Sequence, residues 1–157
     1  MKYRFLLFLL AVAACNSINR NADKVVDTTI TVSYDTIPEI RSTISQKPVA
    51  SFAEPVKDEL NDWKFGVDIY ETQKTFHYTL QIQAKEARVT DSISLPNFGI
   101  WPKPVIEKGK EPLTCIIGFL DAKQQFKPYK KVSFANDRLR ISTIASYYVA
   151  AYKTKVK

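Results

Sequence analysis

The sequence predicts an all-β protein, a single β-sandwich of about seven antiparallel strands behind a flexible N-terminal tether. Three observations carry this expectation. Apolar side chains alternate with polar ones along residues 63–69 and again along 76–84, the period of a half-buried strand. Residues 113–120 are apolar on both faces, as a strand in the middle of a sheet must be. Isolated glycines, prolines and Asn/Asp pairs punctuate these runs at short intervals.

The N-terminus is the most specific element. Lys2 and Arg4 precede an unbroken apolar run from Phe5 to Ala14. A membrane-spanning helix needs about 20 apolar residues, so this run fits the core of a secretory signal peptide instead. It ends in Val12-Ala13-Ala14-Cys15. This motif resembles the lipobox of bacterial lipoproteins: an aliphatic residue, two small residues, then the cysteine that is acylated. The resemblance implies cleavage between Ala14 and Cys15, lipid on Cys15 and anchorage in a membrane. Several acyl chains, each burying methylenes at about 0.8 kcal/mol apiece, make such an anchor stable. Asn16 follows the cysteine, where the family's sorting rule reserves Asp for inner-membrane retention. The expected location is therefore the outer membrane. No acidic cluster of the surface-export kind follows, which favours the periplasmic face.

Three regions result: a signal peptide over 1–14, a lipidated tether over 15–50 and a β-sandwich domain over 51–157. The tether is rich in Asn, Ser, Asp, Thr and Lys, a composition that buries too little apolar surface to offset ordering entropy. Within it Ile30, Val32 and Tyr34 alternate with Thr31 and Ser33, so a short strand there can add to a sheet edge. Pro55 to Leu60 is read as one helical turn, with Pro near the start and acids after it.

Trp63, Phe65, Val67 and Ile69 define the first clear strand, and Phe76, Tyr78, Leu80, Ile82 and Ala84 the second. A polar loop between them makes a hairpin. Val89, Ile93 and Leu95 outline a weaker strand. Residues 97–104 are irregular, with Trp101 between Gly99 and two prolines. The central strand over 113–120 ends at Asp121. Lys130, Val132 and Phe134 then alternate, and Asn136-Asp137 suits a hairpin tip. Residues 138–153 fit two patterns. Leu139 and Ile141 alternate as in a strand, whereas Ile141, Ile144, Ala145, Tyr148 and Tyr152 fit a C-terminal helix. Their Tyr, Val, Ile and Thr content favours strands.

The chain has 157 residues and a formal charge of +7, and loss of the signal peptide leaves about 140 residues at about +5. For an exported protein this charge favours lipid headgroups, lipopolysaccharide or an acidic protein face, not nucleic acid. His77 is the one histidine and falls on a polar strand face, which excludes a histidine metal cluster and leaves no convincing His-based triad. With Cys15 acylated, Cys115 has no partner in the chain, and its apolar neighbours predict a buried structural thiol. No phosphate-binding glycine loop exists, no carboxylate but Asp121 sits in an apolar setting, and that one closes a strand. The expectation is a non-enzymatic protein without metal or cofactor beyond the covalent lipid. Its candidate contact surface is Trp101 together with the basic-aromatic stretch Phe126, Tyr129, Lys130 and Lys131.

Two segments are similar to the small outer-membrane lipoprotein of type VI secretion systems, the TssJ kind. One is Val67-Asp68-Ile69-Tyr70-Glu71; the other is Ile116-Ile117-Gly118-Phe119-Leu120-Asp121 with the aromatics and lysines that run on to Lys131. That family docks a membrane-complex partner through a tethered β-sandwich. The present chain departs from it in lacking an inserted helix after the early strand, which leaves the lipoprotein of a divergent system, the TssQ kind, as an equivalent. The resemblance implies a lipid-anchored accessory or scaffold subunit of an envelope complex with a protein partner. The alternative is a periplasmic or surface lipoprotein that binds glycan or lipopolysaccharide.

Overall fold

The computed structural model of the protein describes residues 26–31, 37–58 and 60–150. Ten strands and no helix lie among them. One antiparallel sheet consists of β2 (Ala50–Pro55), β3 (Lys64–Glu71), β4 (His77–Ala84) and β5 (Ala87–Ser94), in that order. A second consists of β6 (Pro104–Lys108), β7 (Thr114–Leu120), β8 (Phe126–Ala135) and β9 (Arg138–Thr143). β1 (Val26–Thr31) and β10 (Ala145–Ala150) form a separate parallel pair.

Alternation builds the sandwich. Phe65, Val67 and Ile69 of β3 are fully buried, and the register sets Val67 opposite Ile82 and Ile69 opposite Leu80 on β4. Cys115, Ile117 and Phe119 supply the facing layer from β7, with Cys115 opposite Val132 of β8. These side chains form one core. Each such burial contributes roughly 1.5–3 kcal/mol, and together they hold the two sheets face to face.

The rims are tied by charge and by rings. Along one edge Lys108 pairs with Glu54 at 3.1 Å, and the Leu113 N–H donates to the same carboxylate at 3.2 Å, joining β6 to β2. At one end Lys85 Nζ meets Asp137 Oδ1 at 2.5 Å, linking the β4–β5 turn to the β8–β9 turn. The Phe119 ring meets that of Phe98 at a tilt and that of Tyr147 edge-on, at 5.2 and 5.1 Å between centroids, which brings β10 onto the core.

The expected sandwich of about seven antiparallel strands is present, with four strands in each of two sheets; the short edge strands β2 and β6 are those the sequence pattern did not reveal. Other expectations are corrected. No helical turn covers the described part of 55–60. Instead Asp58 Oδ1 accepts the N–H groups of Leu60 and Asn61 at 3.0 and 2.9 Å, a local turn that competes with helix. Of the two patterns that residues 138–153 fit, the favoured strands form over the described part, 138–150. Tyr147 packs on Phe119 while Tyr148 is exposed, so β10 keeps period two instead of aligning Ile144 with Tyr148. Asn136 and Asp137 do form the hairpin tip, both at left-handed φ of 50° and 54°.

Residues 37–49 lie along the β3–β4 hairpin, with Ile40 bridged to Lys74 and the Val49 N–H bonded to Ile69 at 2.8 Å. Arg41 is the clasp. Nη1 donates to the carbonyls of Thr72 and Lys74, each at 2.8 Å; Nη2 donates to the Thr75 carbonyl and, at 2.7 Å, to the Tyr78 hydroxyl. Nε faces Glu71 at 3.3 Å. All the guanidinium N–H groups are therefore engaged. Cys15, Ala14 and the signal peptide lie outside the described residues, as do Val32 and Tyr34.

Candidate functional site

The sequence-derived contact surface divides when it is folded. Trp101 stands in the loop between β5 and β6, 54% exposed. Phe126 begins β8, and its ring lies over Gly118, where an added Cβ would come within 2.6 Å of it. A β-bulge then shifts the register. Ile117 faces Lys130 while Gly118 faces Pro128, so Tyr129 is the extra residue, and it packs against the core. Lys130 lies 5.9 Å from the centroid of the Tyr129 ring. Lys131 pairs with Glu111 at 2.8 Å. Neighbours in the chain, the two lysines have different partners because a strand alternates its faces.

Only Lys131 enters a larger basic surface. It lines a depression of about 540 Å³ with Glu111, Ser133, Asn136, Arg138 and Arg140. The β8–β9 register explains the grouping, with Ser133 opposite Arg140 and Ala135 opposite Arg138. Both arginines are exposed and have no side-chain partner among the described residues. The sequence signal was the i, i+2 spacing of Arg138 and Arg140, which a hairpin sets beside Lys131.

The other outer face is polar and dented. A groove of about 440 Å³ crosses β2, β3, β4 and β5, and Gly66, Asp68, Gln81, Gln83, Arg88 and Thr90 line it. Register sets Ser51, Asp68, Gln81 and Thr90 in one row across the strands and Ala53, Gly66, Gln83 and Arg88 in the next. Lys64 completes the lining. Sequence reading took these positions as a solvated face, since a polar face alone carries no sign of concavity.

The residues singled out for chemistry are engaged elsewhere. Cys115 is fully buried and unpaired, and burial pushes its thiol up to about 12. His77 Nδ1 lies 2.9 Å from the Ser94 hydroxyl on the exposed edge. Asp121 Oδ1 accepts the N–H groups of Lys123 and Gln125 at 2.8 and 2.9 Å, while Oδ2 pairs with Lys127 at 3.2 Å. The hydrogen bond from Gln125 leads the contacts that hold this carboxyl below its ordinary range. It is a turn acid. Among the described residues no three His, Cys, Asp or Glu side chains converge as metal ligands.

No family model, curated protein or solved structure matches the chain.

Proposed function

We propose that the chain is a lipid-anchored, non-catalytic accessory or scaffold subunit of a bacterial envelope complex, of the kind that serves type VI-like secretion machinery. It is held at the outer membrane, on the periplasmic face. The observation that carries this reading is the parallel pairing of β1 with β10. A two-stranded ribbon is marginal in water alone, and its outer edges are unpaired among the described residues. A partner strand added at such an edge completes its hydrogen bonds, a common mode of protein–protein docking.

The same pairing limits reach. Ten residues separate Cys15 from Val26, and fully extended they span about 40 Å. An anchor on Cys15 therefore keeps the ribbon close to the bilayer, where membrane-complex partners are.

In-cell crosslinking followed by mass spectrometry tests this. The expected result is crosslinks from β1 and β10 to a small set of membrane proteins, together with release of the Cys15→Ala chain from the outer-membrane fraction. Recovery of the native chain alone, or a Cys15→Ala chain still labelled with lipid, sinks the proposal.

The basic face favours a second reading, a lipoprotein that binds phosphate-bearing glycan such as lipopolysaccharide. Arginine forks suit phosphate geometry, and Arg138 and Arg140 have theirs free of side-chain partners among the described residues. On this reading the Arg138→Gln/Arg140→Gln chain binds lipopolysaccharide roughly tenfold or more weakly at low salt. Lys130→Gln, which alters a lysine outside the depression, leaves binding within about twofold of native. Equal binding by all three chains removes this reading.

A further inference from the structure

We infer that the groove on the outer face of the first sheet is a binding site for an acidic oligosaccharide, a short run of hydroxyl-rich sugar rings bearing a carboxylate. The inference does not depend on the lipid anchor or on the partner reading.

Gly66 is the first observation. It sits in the interior of β3, a central strand, where glycine weakens a sheet because it has no side chain to pack. The fold does not ask for it. Its φ is not in the left-handed region, and a Cβ added there would meet only the Phe52 carbonyl, at an ordinary 3.5 Å. The one visible consequence of glycine at this position is open space above the sheet. Ala53, its partner across β2, keeps the floor low on that side.

The walls are the second observation. Asp68, Gln81, Arg88 and Thr90 make no side-chain hydrogen bond or ion pair among the described residues. Gln83 reaches only the Lys85 carbonyl, at 3.3 Å. Asp68, Gln81 and Arg88 are thus planar groups without a side-chain partner among the described residues, whereas Glu54, Glu111, Lys85 and Lys131 are paired. Carboxylate, amide and guanidinium groups each offer two hydrogen-bonding atoms in a plane, which suits adjacent hydroxyls on a sugar ring.

The arrangement has a direction. Along β3 the order is Lys64, Gly66, Asp68, and Gly66 is in register with Gln83, next to Arg88. One end of the groove therefore carries two cations, Lys64 and Arg88. The other carries the acceptor Asp68 with Gln81 and Thr90. A ligand with a carboxylate at one end and hydroxyl donors at the other matches both. Lys64 and Asp68 are four residues apart along β3, about 13 Å, the length of a short oligosaccharide.

The test uses the full chain carrying Cys15→Ala, titrated calorimetrically with maltotetraose and with maltotetraonate, the same tetramer with its reducing-end glucose oxidised to a single carboxylate. Maltotetraonate is expected to bind saturably and at least about tenfold more tightly than the neutral tetramer, the worth of one charge-assisted contact. Gly66→Val is expected to abolish binding while its unfolding midpoint stays at or above that of the parent chain. Arg88→Gln should weaken maltotetraonate about tenfold and leave maltotetraose unchanged. Gln81→Ala, at an exposed position that leaves folding intact, should weaken both. Absence of binding by either tetramer overturns the proposal, as does an isotherm unchanged in Gly66→Val. Should Gly66→Val fail to fold, Gln81→Ala and Arg88→Gln decide in its place. Equal binding of both tetramers, insensitive to Arg88→Gln, overturns the acidic assignment.

Discussion

Arg41→Ala will cost about 3 kcal/mol and lower the unfolding midpoint by roughly 10 °C. Arg41 is 8% exposed, and its guanidinium serves the carbonyls of Thr72, Lys74 and Thr75, the Tyr78 hydroxyl and the Glu71 carboxylate. Alanine strips donors from all of them at once. The loss reaches beyond residues 37–49, because Tyr78 is in the core and its hydroxyl also donates to the Pro102 carbonyl at 3.2 Å. The β3–β4 loop and the loop before β6 are thus held through one side chain. Arg41→Lys will recover only a minor part, since an ammonium cannot reproduce the planar fork, here 4.7 Å from the Tyr78 ring centroid. Thermal denaturation of both variants checks this, and a shift of less than about 2 °C for alanine would count against the clasp.

The same region sets the alkaline limit of the fold. Burial pushes the Tyr78 phenol up to about 12 from 10.0, and the Cys115 thiol up to about 12 from 9.0. The unfolded chain releases these protons first, so it gains stability relative to the folded chain as they leave. Stability from these two groups is therefore fully present below pH 9 and is lost as pH rises from about 9 to about 12.

How much of this was legible in the sequence depends on whether one face of a segment is buried. β3 and β4 were readable because Phe65, Val67, Ile69, Leu80 and Ile82 alternate without interruption and all enter the core. β7 was readable as an interior strand because Thr114, Cys115, Ile117, Gly118 and Phe119 are all buried. β2 and β6 were not, since edge strands bury less and each carries a proline at one end. Arg41 left no trace at all. A single buried cation in a polar stretch has no period, and its partners are carbonyls, which every residue has. The groove is the converse case. Its residues were correctly placed on the polar face, but concavity comes from a glycine whose neighbours across the sheet are known only once the register is fixed. The basic-aromatic stretch was legible as composition and not as a surface, because the bulge at Tyr129 and the alternation of β8 divide it.

The second large effect separates the two strand glycines. Gly118→Val is expected to destabilise the fold by roughly 3 kcal/mol or more, the upper part of the overpacking range, where Gly66→Val is expected to be neutral or stabilising. A Cβ at Gly118 would meet the Lys127 carbonyl oxygen at 2.2 Å and the Phe126 ring at 2.6 Å. The first of these is backbone and cannot rotate away. It belongs to the strand that hydrogen-bonds β7 across the bulge, so relief requires parting β7 from β8 just where the register shifts between Ile117 and Gly118. That movement would drag Tyr129, whose carbonyl accepts the Ile144 N–H at 2.9 Å, and with it the turn into β10. It would also disturb Pro128, whose carbonyl accepts the Tyr147 hydroxyl at 2.8 Å. A side chain at Gly118 therefore acts on the β6–β9 sheet, the bulge and the strand that pairs with β1. Parallel melting curves for Gly66→Val and Gly118→Val measure the difference directly. A midpoint for Gly118→Val within about 2 °C of the native chain would mean that the β7–β8 approach is looser than described. A large loss in Gly66→Val would mean that its glycine serves the fold and not the groove.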